Sequence, residues 1–68
     1  MTKKTAKPIL EAILFTMGDS VEIERLAAVI EEGADATREI LLEMQAEYAE
    51  QGRGLALLEL DGSFQMCT

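Results

Sequence analysis

A mainly α domain closed by a small β-hairpin is the fold class this sequence predicts, and three observations predict it. Residues 35–51 sustain a single helical period with no glycine or proline inside. Two shorter segments with helical apolar spacing precede it, each followed by a glycine. Near the end, Asp61-Gly62 stands between two short apolar runs, the strongest short cue for a hairpin.

The first helix is predicted over residues 5–17. Pro8 falls near its start, where a missing N–H does no harm. From Ile9 to Met17 only Glu11 and Thr16 interrupt the apolar residues, which is more than one face can hold. Such a helix buries two sides, one against its own domain and one against something else. Gly18, Asp19 and Ser20 form the turn that ends it.

The second helix is predicted over residues 22–32. Ile23, Leu26, Ala27 and Ile30 follow the i, i+3, i+4, i+7 spacing, and Val21 is placed as a hydrophobic staple before the first turn. Glu22 and Glu24 suit its N-terminal dipole. Gly33 closes it, and Gly33-Ala34-Asp35 links it to the third helix. Two helices with so short a connection have the form of a helix-turn-helix.

In the third helix Asp35 is the expected N-cap, Gly52 the stop, and Ile40, Leu41, Met44 and Tyr48 the buried face. The hairpin then pairs residues 55–60 with 63–68. A two-residue loop sets Leu60 opposite Ser63, Leu58 opposite Gln65 and Leu57 opposite Met66. Leu55, Leu57, Phe64 and Met66 share the core face, which leaves Ala56, Leu58 and Leu60 on the other. Three helices and a hairpin make a winged helix-turn-helix: a flexible basic arm over residues 1–7, then the domain over 8–68. The abrupt end in a strand reads as a fragment of a longer protein, cut at a domain boundary.

Composition narrows the function. The chain has 68 residues, 49% of them hydrophobic, with no histidine and a single cysteine. A domain this small hides only ~60% of its unfolded surface, so one copy is marginally stable. Cys67 has no partner for a disulfide and no ligand set exists for a zinc staple, which leaves association as the common remedy. No apolar run approaches the ~20 residues of a membrane span, and no secretion signal is present. The net charge is −7, and half of the six cations are Lys3, Lys4 and Lys7. Without them three arginines face thirteen acids, a body that repels duplex DNA. Catalysis fails on inventory: no histidine, no phosphate-binding glycine loop, no metal-ligand spacing, and paired acids such as Glu31-Glu32 at an exposed helix end. No cofactor is implied.

At this point a resemblance emerges. The run from Ile9 to Phe15 (ILEAILF), Gly18, and the run from Ile23 to Ala27 (IERLA) are similar to the opening of the segregation and condensation protein B family. Glu47-Tyr48, Gly52-Arg53-Gly54-Leu55, Gly62 and Phe64-Gln65 resemble that family's third helix and wing. Ser20 stands where a proline is common, and Cys67 where a basic residue is frequent. The resemblance extends from residue 8 to nearly the end. It implies a non-enzymatic, cytoplasmic accessory subunit of the prokaryotic chromosome-condensing complex, with two winged-helix domains. The first domain would pair with its own copy, and the protein would hold the kleisin subunit, ScpA, which bridges the SMC ATPase. No contact with nucleic acid or membrane is implied.

The candidate self-association residues are Ile9, Ile13, Phe15 and Met17 on the first helix, Leu42 on the third, and Leu58 and Leu60 on the wing. Against them stand plainer readings: the first-helix residues as core, and Leu42 as a singly exposed leucine. Two leucines on one strand face make a patch. Arg53 would pair with Glu50 or a partner, or meet only carbonyls and water. The acidic row Glu39, Glu43, Glu47 and Glu50 reads as a solvated face. A DNA-binding winged-helix regulator is the competing function, and a peptide-binding module using the wing edge a third.

Overall fold

In a computed structural model, which describes residues 1–52 and 54–68, the chain has three helices and three short strands. They are α1 (Lys3–Met17), β1 (Val21–Glu22), α2 (Ile23–Ile30), α3 (Ala34–Gln51), β2 (Ala56–Leu60) and β3 (Ser63–Cys67). The sheet is antiparallel, in the order β1-β3-β2. This is the winged helix-turn-helix the sequence predicts, with one strand more.

The hairpin has the expected register: Leu60 opposite Ser63, Leu58 opposite Gln65 and Leu57 opposite Met66. Asp61 and Gly62 have φ of 45° and 86°, the two left-handed positions of a type I′ turn. The Gly62 carbonyl accepts a 3.0 Å hydrogen bond from the Ile23 N–H, so the turn also caps the first turn of α2. β1 forms beside this bond, pairing Val21 with Phe64 and Glu22 with Ser63. Val21 and Glu22 are therefore strand rather than a staple and a helix start. Two residues cannot show an alternating pattern, so nothing in the sequence separates them from the helix that follows.

The core joins Ala6, Leu10 and Leu14 of α1, Leu26 and Ile30 of α2, Leu41 and Met44 of α3, and Leu57 and Phe64 of the hairpin. The expected buried face of α3 is present in full, including Tyr48, whose hydroxyl donates to Glu11 at 2.6 Å. Thr37 is the one buried polar side chain among the described residues, and its hydroxyl donates to the Gly33 carbonyl at 2.8 Å.

Helix boundaries also differ from expectation. Helix α1 begins at Lys3, capped by the Thr2 hydroxyl on the Thr5 N–H, so residues 3–7 of the expected arm are the first turns of α1. Ala6 is fully buried there, and Pro8 lies inside the helix on its exposed side. Helix α2 ends at Ile30, and its cap is Glu31 at φ 57°, not Gly33. Gly33 instead precedes α3 as its N-cap, with Asp35 in the first turn and no side-chain cap bond. Glycine serves at either end of a helix, and in this short link it starts the next helix.

Helix α3 is the beam between the two halves of the domain. On one flank its acids meet α1. On the other, the Gln45 amide donates to the Leu57 carbonyl at 2.6 Å, and Arg38 forks onto both Glu59 carboxylate oxygens at 2.9 and 3.0 Å. In this register Leu57 and Glu59 turn their backbone polar groups to the outer edge of β2. Gln45 thus occupies one acceptor on an edge that would otherwise invite another strand, and the wing-edge reading loses that acceptor.

Candidate functional site

With the core closed, what distinguishes the molecule is the apolar surface left outside it. Phe15, Met17, Val29, Leu58 and Leu60 are between 43% and 66% exposed, Leu58 least and Phe15 most. The seven sequence-predicted residues do not form one surface. Leu58 and Leu60 share the outer sheet face with Ala56, Ser63 and Gln65, since their registered partners point the same way. Ile13 and Met17 face α2 across a narrow groove of about 70 Å³. Phe15 is two residues from Ile13, about 200° round the helix, and so lies on the opposite flank of α1. Ile9 is half-buried against the core, and Leu42 is half-buried on the flank of α3 that carries Arg38 and Gln45.

The groove holds a residue the sequence reading passed over. Val29 of α2 is nearly half exposed and lines it together with Ile13, Met17, Val21 and Leu26, and Arg25 stands at its side. The groove continues along α1 as an open apolar shelf by Ala12 and Thr16. Val29 follows Arg25 by one turn, three residues beyond the buried Leu26, and that offset was the available signal.

The charges are arranged differently from a free arm over a solvated acidic face. The Lys7 ammonium lies 2.6 Å from Glu47 and 3.3 Å from Glu43, and Lys3 also pairs with Glu43. Two of the four acids in the row are thus neutralised by α1 of the same chain. A polar depression beside them is bounded by Lys7, Glu11, Glu47 and Tyr48. Arg53 lies outside the described residues, so its reading has no structural counterpart. Cys67, half-buried with a free thiol, ends β3 opposite Ala56.

Lys3 first, then Lys7, hold the Glu43 carboxyl below its ordinary value of 4.5. The Glu47 hydrogen bond, against some desolvation and with help from Glu43, raises Lys7 above its ordinary 10.5. A lowered carboxyl adds stability above its unfolded value and loses it as pH falls through the folded one. The raised amine adds stability below its unfolded value and loses it as pH rises through the folded one. Glu43→Gln is therefore expected to lower the melting temperature slightly near pH 7, these groups being exposed. Thermal melts from pH 7 downward should show the gap to the parent chain closing below about 4.5. A gap that stays constant with pH rules out this pairing.

The matched family is decided by comparison with known proteins. Residues 8–68 match the model of the segregation and condensation complex subunit ScpB. The chain belongs to the ScpB family. The segregation and condensation protein B of Lachnoclostridium phytofermentans is 46% identical over 68 residues, covering 100% of this chain and 36% of that protein. That of Clostridioides difficile is 33% identical, over 100% of this chain and 39% of its own length. This chain thus spans little more than a third of these curated ScpB relatives. Among solved structures, a dimer of an ScpB N-terminal domain complexed with an ScpA peptide superposes with a TM-score of 0.87 and 36% identity. That match covers 96% of this chain and 82% of the other. ScpB from Mycobacterium tuberculosis gives 0.91 and 25%, over 100% and 42%.

Proposed function

We propose that this chain is the N-terminal, self-pairing domain of a longer, two-domain ScpB. It is a non-enzymatic adaptor that works in the cytoplasm and holds the kleisin subunit ScpA, through which it reaches the SMC ATPase. The observation that carries the reading is apolar surface in three separate places, the outer sheet face, the α1–α2 groove and Phe15, on a domain whose core is already closed. Membership in the ScpB family, and the likeness to an N-terminal domain dimer bearing an ScpA peptide, support it. Among the described residues no helix is long and apolar enough to cross a membrane.

The self-interface is assigned to the outer sheet face. A two-fold contact brings a patch onto its own copy, so it must tolerate itself. Ala56, Leu58, Leu60, Ser63 and Gln65 are uncharged, and only Glu22 at the β1 margin brings an acid there. Leucine on leucine across an axis meets that requirement.

The competing reading, a DNA-binding regulator, needs cations on α3. Arg38 is the only one, and it is engaged by Glu59, while Asp35, Glu39 and Glu50 are exposed. Fluorescence anisotropy at low salt separates the two. The adaptor reading expects a labelled ScpA fragment to bind and a labelled duplex to stay free. Tight, salt-sensitive duplex binding without ScpA binding overturns it.

A further inference from the structure

We infer that the groove between α1 and α2 is a docking site for an apolar segment that carries a carboxylate, supplied by the kleisin and not by a second copy of this chain. This rests on the adaptor reading and specifies where the kleisin sits. Ile13, Met17 and Val29 form its accessible apolar walls over the buried Val21 and Leu26, with Arg25 beside them. Among the described residues Arg25 has no ion-pair partner. Lys3, Lys7 and Arg38 are paired within the chain, and Lys4, the other described cation without an ion pair, stands on the exposed start of α1, away from any apolar groove. In a body of net charge −7, acids abound on the surface, yet this guanidinium stands beside an apolar groove without one. A ligand that fills the groove brings apolar groups against Met17 and Val29 and sets an acid within reach of the fork.

The charge also decides between the two occupants. A second copy brought onto this groove by a two-fold axis carries the same Arg25 and no acid of the groove to meet it. It would therefore desolvate two guanidinium groups without a counter-ion. A different chain with a carboxylate turns that cost into attraction. The flexible Met17 thioether lets the floor adapt to a bulky side chain.

The test uses an ScpA fragment labelled at one end and titrated into the parent chain and three variants of exposed residues. Val29→Glu puts a charge on the groove wall and is expected to weaken binding at least ~50-fold. Arg25→Ala is expected to weaken it roughly tenfold and to flatten its salt dependence. Leu58→Glu, on the sheet face, is expected to leave ScpA affinity per chain within about twofold, while Val29→Glu leaves self-association intact. Circular dichroism verifies that each variant stays folded. Should both groove variants bind ScpA as the parent does, the groove is not the site, although the adaptor reading survives. Loss of ScpA binding in Leu58→Glu alone moves the kleisin to the sheet face and overturns the inference. A parent chain that binds no ScpA overturns the adaptor reading and the groove's occupant together. Sedimentation in which Val29→Glu abolishes the dimer makes the groove a self-interface, and the inference fails.

Discussion

Phe64→Ala is expected to unfold the domain at ordinary temperature. Phe64 is fully buried in β3, the central strand, and the register sets it beside Val21 and Glu59. It belongs to the cluster that includes Leu10, Leu14, Leu26 and Leu57, so it touches the layer through which helices and sheet hold each other. Truncating a buried phenylalanine costs about 3–5 kcal/mol, partly for lost transfer and partly for the cavity left behind. A domain of this length holds in total about 3–10 kcal/mol. The loss is comparable to the whole. Far-ultraviolet circular dichroism during a thermal melt reads it: no cooperative transition above 25 °C, or one shifted down by tens of degrees. A variant melting within a few degrees of the parent contradicts this picture of the core.

Leu58→Glu is expected to act at the other extreme, on association and not on folding. Leu58 is 43% exposed on the outer face of β2, so a glutamate there disturbs little of the single chain. Across a two-fold axis the change is felt twice. Each leucine withdrawn forfeits ~1.5–3 kcal/mol of burial, and each glutamate that enters the contact arrives without a counter-ion. With 1.4 kcal/mol per factor of ten, the dissociation constant should rise at least ~100-fold. The melting temperature measured at low concentration, where the parent is also monomeric, should hardly move. Analytical ultracentrifugation of parent and variant checks the first statement and calorimetry the second. A variant that dimerises as the parent does removes the sheet face from the interface.

Much of this structure was legible in the residues, and what was not has a physical cause. The hairpin's register was read to the residue because Asp61-Gly62 permits one tight turn, and a two-residue loop leaves a single register. The buried face of α3 was legible because Ile40, Leu41, Met44 and Tyr48 repeat at the helical period. β1 was not, since its two residues are a strand only because β3 comes alongside from more than forty residues away. Such pairing is tertiary and leaves no local mark. The α2–α3 link misled because a glutamate, at some steric cost, can hold the positive φ that a glycine holds freely, and Glu31 does so here. Lys3 and Lys7 looked like a free tail because their partners, Glu43 and Glu47, are forty positions later.

The candidate surface was legible as a set of residues but not as a geometry. A helix apolar on nearly every side announced more apolar surface than its own domain covers, and the fold distributes it: the Leu10 stripe meets the core, Ile13 and Met17 border α2, and Phe15 is left bare. Which of these share a patch depends on how α1 is set against α2. Only the fold supplies that. Val29 shows the converse, a residue that joins the surface because the fold sets it on the same groove as Met17.

The central claim is that apolar surface left outside a closed core brings two copies of this chain together. Sedimentation equilibrium of the unaltered chain, over roughly micromolar to millimolar concentration, tests it most directly. The account predicts a mass that settles at twice the 7.5 kDa of one chain as concentration rises. A single 7.5 kDa species at every concentration would contradict it.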